Sequence, residues 1–263
     1  MWTLPAEGMG KAKEHALKAL ELDQNLAEAH ASLALIKLLY EWDWVGATAE
    51  VEKALELNPG QVMTYAAAAL RHAFLGDPRD AVTAARKAQE LDPLSHRGHN
   101  RLGYYYTVAG DQEKAIEHFE RALKLDPSYW APWYNLGMIH CREGRATEGI
   151  PLVEKARGLA PDDPGIVGRL GYCYGVSGQQ ERALDLLREL EEWSTRSHVS
   201  PIAFMLVYLG LSDNEEALEQ LEKAYELRQT GVPYALRIYP ECEPLRSDPR
   251  FQDLLRRIGF PNE

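Results

Sequence analysis

The chain has 263 residues, and its 40 acidic and 29 basic side chains give a formal net charge of −11. This acidic balance makes the phosphate backbone of a nucleic acid an unfavourable partner for the chain as a whole. Hydrophobic residues make up 45% of the sequence, and no stretch reaches the roughly 18 apolar residues that a membrane span needs. We therefore expect a folded protein that binds neither nucleic acid nor a membrane.

The N-terminus and the cysteines indicate the cellular compartment. The first residues lack the basic start and the apolar core of a secretory signal. Cys141, Cys173 and Cys242 lie far apart in the sequence and form no Cys-x-x-Cys pair. These features favour a cytoplasmic protein with free thiols over a disulfide-rich secreted one, and they argue against a zinc site.

A period of 34 residues runs through the prolines, the glycines and the small residues of the chain. Self-similarity at a fixed spacing is the sequence signature of a repeat architecture. The residues in register are Pro59, Pro93, Pro127 and Pro161; Gly76, Gly110, Gly144 and Gly178; Ala47, Ala81, Ala115, Gly149, Ala183 and Ala217; and Ala54, Ala88, Ala122, Ala156, Leu190 and Ala224.

Residues 96–129 show the content of one period. Leu102 and Tyr106 share one face of a first helix, and Gly110 ends that helix at a turn. The second helix carries apolar side chains at i, i+4 and i+7, from Ala115 to Ala122. Leu-Asp-Pro then stops it, because a proline ring cannot continue a helix. Each period is therefore predicted to be an antiparallel helix hairpin.

Residues 9–22 match only the second helix of such a hairpin. A second helix without a first one leaves an apolar face open. We expect Trp2 and Leu4, a neighbouring molecule or an upstream sequence to cover it. Residues 1–27 are accordingly assigned to an N-terminal half-repeat or cap, and self-association through this half-repeat is one alternative.

Six full units follow between residues 28 and 231. The first departs from the pattern at its turn, where residues 41–44 replace the glycine, and the last two lack the closing proline. The predicted units are 28–61, 62–95, 96–129, 130–163, 164–197 and 198–231.

Residues 232–263 are predicted to cap the array. Residues 234–239 form a short helical turn that Pro240 interrupts. Ser247, Asp248 and Pro249 then begin a final amphipathic helix over about 249–258.

The chain resembles the tetratricopeptide repeat (TPR) family over nearly its whole length. The resemblance rests on the closing prolines and on Trp133, Leu136, Gly137, His140, Ala115, Phe119 and Ala122. The tail and the turn at 42–44 further resemble the C-terminal TPR regions of bacterial multidomain signalling proteins of cyclase, kinase or winged-helix regulator type. The resemblance implies an all-α solenoid of helix hairpins, wound into a right-handed superhelix.

The sequence indicates no catalytic, metal or cofactor site. His96 and His99 lie three residues apart on a predicted helix, but no third ligand recurs at a helical spacing. His140 and Cys141 point roughly 100° apart on a helix, so they cannot act as base and nucleophile. The glycines of residues 165–171 lack the spacing of a nucleotide-binding loop. We therefore predict a non-enzymatic protein without a cofactor or a metal.

The resemblance also implies a partner-binding groove, because the first helices of TPR units line the concave face. In the middle units this face is aromatic with scattered polar groups. The candidate groove residues are Arg97, Asn100, Tyr104, Tyr134, Asn135, Met138, Arg142, Gly165, Gly168, Arg169, Tyr172 and Gly175.

One variant of the TPR family holds the C-terminal carboxylate of a chaperone with lysine, asparagine and arginine side chains. Here Asn135 and Arg169 stand at two of those positions, whereas Tyr104 and Gly165 replace two essential members. We therefore expect these residues to be ordinary groove residues and not a functional clamp.

Gly165, Gly168 and Gly175 occupy groove-facing positions of a predicted helix, where each glycine costs roughly 1 kcal/mol against alanine. We predict that they open a recess that anchors a bulky apolar side chain of the partner. On this hypothesis Gly168→Leu fills the recess, whereas Gly168→Ala stabilises the helix and leaves room. Neutral drift at these positions is the alternative.

Two functions remain open on the sequence. The first is a scaffold whose groove binds a partner peptide or helix, with tyrosines providing rigid contacts. The second is a regulatory or oligomerising module of a larger signalling enzyme or transcription regulator. A concentration-independent dimer would favour the second, and a monomer that captures peptides the first.

Overall fold

A computed structural model describes residues 5–261 of the chain. All regular structure in this range is helical, and the range contains no β-strand. The expected all-α fold of helix hairpins is therefore confirmed.

The α-helices follow one another through short connections. They are α1 (Pro5–Leu22), α2 (Ala27–Ile36), α3 (Trp44–Leu57), α4 (Val62–Phe74), α5 (Pro78–Leu91), α6 (His96–Val108), α7 (Gln112–Leu125), α8 (Trp130–Arg142), α9 (Ala146–Leu159), α10 (Pro164–Val176), α11 (Gln180–Ser194), α12 (Pro201–Gly210), α13 (Asn214–Glu226), α14 (Val232–Arg237) and α15 (Pro249–Ile258). A π-helical turn at Lys37–Glu41 continues α2, and a 3₁₀-helix at Pro240–Leu245 follows α14.

The contacts divide the chain into two compact units. The N-terminal unit comprises the described residues up to His118 together with those from Leu255 onward. The C-terminal unit comprises Phe119–Leu254.

In the N-terminal unit, α1 packs on α2. Ala16 of α1 joins Leu33 and Ile36 of α2 in a buried cluster. Leu17 points away from this cluster and is 45% exposed. Trp2 and Leu4, which the sequence predicts to cover this helix, lie outside the described residues.

The turns of the hairpins share one backbone conformation. Gly76, Gly110, Gly144 and Gly178 have φ angles between 76° and 84°, as a left-handed residue that ends a helix requires. In the first and last hairpins the position is taken by Trp42 (φ 57°) and Ser212 (φ 63°). The 34-residue register therefore fixes the conformation of the turn even where glycine is absent.

Small residues let the helices of the units approach closely. The alanines at 47, 81, 115, 183 and 217 are fully buried. In the hairpin of α8 and α9 even alanine is too large, because a Cβ atom at Gly137 would lie 2.7 Å from the carbonyl oxygen of Gly149.

In the C-terminal unit, α10 and α12 touch along their backbones. A Cβ atom at Gly168 would lie 2.5 Å from the carbonyl oxygen of Ala203, and one at Gly175 would lie 2.3 Å from the carbonyl carbon of Gly210. At Gly171 a Cβ atom would instead meet the side chain of Val207, at 2.6 Å from its nearest methyl carbon. Glycine is therefore required by the packing of α12 against α10, which is more extensive than the packing of α10 against α11.

This packing predicts that Gly168→Ala destabilises the protein by about 1–3 kcal/mol, because backbone atoms of α12 must move to admit the methyl group. Gly158 is the matched control, since it lies in α9 and a Cβ atom added there would meet no other atom within 4 Å. Gly158→Ala is expected to stabilise by about 0.5 kcal/mol through helix propensity. Urea unfolding followed by circular dichroism measures both changes, and equal stability of the two variants would contradict the prediction.

Candidate partner-binding groove

The candidate groove residues fall into both units. In the N-terminal unit, Arg97, Asn100 and Tyr104 share one face of α6. Arg97 is exposed and the other two are partly exposed. The ring of Tyr104 stands edge-on to Tyr105, with centroids 5.6 Å apart. These three residues form a polar and aromatic surface on α6.

A histidine pair lies behind this face of α6. The Nδ1 atoms of His99 and His118 are 3.0 Å apart, and their rings stack. Tyr106 stacks on the same His118 ring and accepts a hydrogen bond of 3.1 Å from Arg86. Packing within the repeat therefore accounts for the position of His99.

In the C-terminal unit, aromatic side chains of α8 meet an arginine of α10. Trp130 stacks on Tyr134 with ring centroids 5.5 Å apart and an interplanar angle of 25°. The guanidinium carbon of Arg169 lies 4.5 Å from the centroid of the Tyr134 ring, a cation–π contact. All three side chains are partly exposed. We call Trp130, Tyr134 and Arg169 the aromatic–arginine cluster.

Arg169 is held in a fixed orientation. It donates a hydrogen bond of 2.8 Å to the carbonyl oxygen of Gly165 and a longer one, of 3.4 Å, to the hydroxyl of Tyr239. Burial favours a lower pKa for Arg169, but the neighbouring Tyr134 and Tyr239 raise the pKa above its usual value. Burial also raises the pKa of Tyr239 to about 12. The guanidinium therefore stays charged.

Arg142, at the end of α8, does not face an open groove. It forms an ion pair of 2.7 Å with Glu241, and the two side chains are 17% and 5% exposed. Tyr172 is buried nearby, and burial together with the Glu241 charge raises its pKa. The wall built by α8 and α10 is thus covered here by a segment of the same chain, Tyr239–Glu241.

Met138 is also part of the interior. It is buried, and its Sδ atom lies 3.8 Å from the Sγ atom of Cys173 on α10. The thiols of Cys141 and Cys173 interact as well, which lowers the pKa of Cys141. Met138 therefore joins α8 to α10 instead of offering a surface to a partner.

The predicted glycine recess is wrong. Gly168 and Gly175 lie against the backbone of α12, so the space that the missing side chains leave is filled by that helix. Gly165 differs, because it begins α10 and donates its N–H to Asp163 at 2.8 Å. Gly168→Leu would therefore disrupt the packing of α12, and the expected stabilisation by Gly168→Ala is replaced by a destabilisation. Of the candidate set, the structure brings together Tyr134 and Arg169, and Asn135 is partly exposed on α8.

The sequence pattern did not point to Trp130, Tyr239 or Glu241. Trp130 is the first residue of its unit, which is not one of the groove-facing positions, so the repeat pattern did not single it out. Glu241 did carry one, since it is a single carboxylate between the apolar residues Ile238 and Cys242 in the tail. A carboxylate buried in such a segment needs a cation, and arginines of the array are the candidates.

Comparisons with known proteins agree with this fold. Residues 66–129 and 109–164 match the family model of the tetratricopeptide repeat. The match supports the TPR resemblance seen in the sequence. The resemblance to C-terminal regions of signalling proteins stays a prediction. No curated protein matches the chain.

Solved structures of similar fold include PilW, described as a widely conserved type IV pilus biogenesis factor, at 18% identity and a TM-score of 0.58, with 84% of this chain and 98% of that chain covered. The structure of the APC/C hetero-tetramer Cut9–Hcn1 is 18% identical with a TM-score of 0.65, and the match covers 95% of this chain and 46% of that chain. A tetratricopeptide repeat protein from Parabacteroides merdae is 15% identical with a TM-score of 0.63, and the match covers 95% of this chain and 92% of that chain. At these identities the likeness shows the fold alone.

Between residues 5 and 261, no helix is both long and apolar enough to cross a membrane.

The ion pair of Arg142 and Glu241 gives a testable prediction. Glu241→Gln leaves the largely buried guanidinium without its countercharge and is expected to destabilise the protein by about 2 kcal/mol or more. The double variant Arg142→Met/Glu241→Leu removes both charges and should recover most of this loss. Urea unfolding provides the measurement.

Glu215 is the control for this prediction, because it pairs with Arg250 on the surface with 75% of its side chain exposed. Glu215→Gln is expected to change the stability little. A Glu241→Gln variant as stable as the Glu215→Gln variant would contradict the burial of the Arg142 pair.

Proposed function

We propose that the protein is a non-enzymatic, cytoplasmic interaction module that binds an extended segment of a partner protein at the aromatic–arginine cluster. The observation that carries the proposal is the stacked pair of Trp130 and Tyr134 with the Arg169 guanidinium on the tyrosine ring. The helix-hairpin repeat fold and the TPR match support an interaction module in general.

The chemistry of the cluster suits recognition of a peptide. Trp, Tyr and Arg are the residues enriched where a few side chains carry most of the binding energy. Stacking and the hydrogen bond to Gly165 hold these side chains in place before a ligand arrives, so less conformational entropy is lost on binding. The ligand we propose has an apolar or proline side chain for the rings and an acceptor oxygen for Arg169.

The covered part of the wall limits the extent of this site. Tyr239–Glu241 occupy the end of α8 at Arg142, so the partner is expected to contact the beginning of α8, where Trp130, Tyr134 and Asn135 lie. The face of α6 with Arg97, Asn100 and Tyr104 offers a separate surface of similar composition in the N-terminal unit.

The test is a selection of peptides from a displayed library against the full chain, followed by affinity measurement by fluorescence anisotropy. Tyr134→Ala and Trp130→Ala are each expected to weaken binding at least tenfold, which corresponds to about 1.4 kcal/mol. Val176→Ala is the control, because Val176 is the last residue of α10, outside the cluster, and its side chain is 44% exposed. Selected peptides that bind wild type, Tyr134→Ala and Trp130→Ala equally would contradict the proposed site.

The second candidate function is self-association through α1, as in a regulatory or oligomerising module. Leu17 is 45% exposed, whereas its equivalents at 34-residue spacing are buried. These equivalents are Val51, Ala85, Phe119, Val153, Leu187 and Leu221. In the full units a first helix covers this position, and on this proposal a second copy covers it in α1.

Light scattering after size exclusion tests self-association. A dimer that Leu17→Glu converts to a monomer is the expected result, because a buried carboxylate without a partner is costly. Leu94→Glu is the control, since Leu94 is highly exposed in the connection between α5 and α6. A wild-type chain that is monomeric at all concentrations would contradict this second function.

A further inference from the structure

The last described residues of the chain make a specific contact in the N-terminal unit. The indole Nε1 of Trp44 donates a hydrogen bond of 3.1 Å to the carbonyl oxygen of Ile258. The indole ring stacks on Phe260 with centroids 4.6 Å apart, and Phe74 lies 6.5 Å from the same Phe260 ring. Ile258 and Phe260 are each only 4% exposed. We call Trp44 and Phe74 the aromatic slot.

The slot depends on the departure of the first repeat from the pattern. Trp44 is the first residue of α3, where the other second helices begin with Pro78, Gln112, Ala146, Gln180 and Asn214. The side chain of Asp43 accepts a hydrogen bond of 2.8 Å from the N–H of Gly46 and so fixes the start of the helix. The equivalent positions of the other units hold no aromatic residue, whereas Trp44 contacts both Phe74, edge-on with centroids 5.9 Å apart, and the tail.

The ligand side of the contact is equally specific. Gly259 ends α15 with a φ of 68°, and its N–H donates to the carbonyl oxygen of Leu255 at 3.2 Å. This left-handed residue ends the helix and changes the direction of the chain, and Phe260, the next residue, stacks on Trp44. The slot thus contacts one main-chain carbonyl and one aromatic ring two residues later, which is how a short linear segment is recognised.

We propose that the aromatic slot is a peptide-binding site for the segment Leu255–Pro261, and that the same segment of a second copy of this chain binds there in exchange for the internal one. The structure itself demonstrates the fit of this ligand. Only the three residues Arg246–Asp248 connect the 3₁₀-helix to α15, and a short connection favours exchange of the element that follows it.

The exchange moves α15 as a whole, because the connection at Arg246–Asp248 precedes it. The hydrogen bond to Trp44, the stacking on Phe260 and the buried contacts of Phe251 and Leu254 can all form between two chains as they do within one, so the entropy of association is the main cost of the exchange. The residues involved differ from those of α1, so this inference stands independently of the proposed self-association through Leu17.

The site is tested with a fluorescein-labelled synthetic peptide of residues 249–261 and full-length variants. Phe260→Ala removes the ring that the internal segment stacks on Trp44, so that segment competes less and the variant is expected to bind the peptide at least tenfold more tightly than wild type. Adding Trp44→Ala to this variant should abolish binding. Adding Trp44→Phe, which keeps a ring but loses the Nε1 donor, should give an intermediate affinity.

Val45 provides the matched control, because it adjoins Trp44 and its side chain is 78% exposed. Phe260→Ala/Val45→Ala is expected to bind like Phe260→Ala. Circular dichroism establishes that each variant is folded. Equal binding by wild type and folded Phe260→Ala, no binding by folded Phe260→Ala, or binding unaffected by Trp44→Ala would each overturn the site.

The exchange between copies is tested by mixing two fluorescently labelled variants. Trp44→Ala retains a competent tail, and Phe260→Ala retains a competent slot, so more energy transfer is expected in the mixture than with either variant alone. Association through α1 would be the same in each variant alone, which distinguishes the two. A mixture that shows no more energy transfer than the separate variants would overturn the exchange.

Discussion

The close approach of helix backbones at small residues is the constraint on which the other features of this protein depend. Alanine in most hairpins, and glycine at Gly137 and Gly149, let the two helices of a hairpin touch. At Gly168 and Gly175 the same principle brings two hairpins together, because α12 rests on the backbone of α10. Large side chains are thereby displaced from these crossings to the faces of the first helices, where Trp130, Tyr134 and Arg142 lie.

That displacement explains why one wall carries both a buried ion pair and partly exposed aromatic residues. Arg142 and Glu241 are removed from water together, and a charge in that position is tolerated only with its partner in place. The pair therefore holds the segment after Pro240 in one place. Trp130, Tyr134 and Arg169 lie on the same two helices but remain partly exposed, so this part of the wall is accessible to solvent.

The C-terminal residues follow a similar logic in the N-terminal unit. In the sequence, the first repeat lacks the turn glycine and has Trp42 and Trp44 in this region. Trp42 nevertheless takes the same left-handed conformation as the turn glycines. Trp44 then supplies a ring and a hydrogen-bond donor to Ile258 and Phe260. The irregular turn and the irregular tail are thus complementary to each other.

The sequence by itself determined the local structure of this protein. The helix hairpins, the left-handed turns at 34-residue spacing and the final helix from Pro249 depend on proline rings, glycine backbones and apolar periodicity within a few residues, and all of these are visible in the chain. The register also located Tyr134 and Arg169 on neighbouring first helices.

Only the tertiary structure decided which groove positions are covered. Glu241 is 99 residues from Arg142, and Ile258 is 214 residues from Trp44. A periodic pattern carries no information about where a non-periodic tail will pack. For the same reason, the local sequence shows no need for glycine at Gly168 and Gly175, because the helix that requires them, α12, begins only after the intervening helix α11.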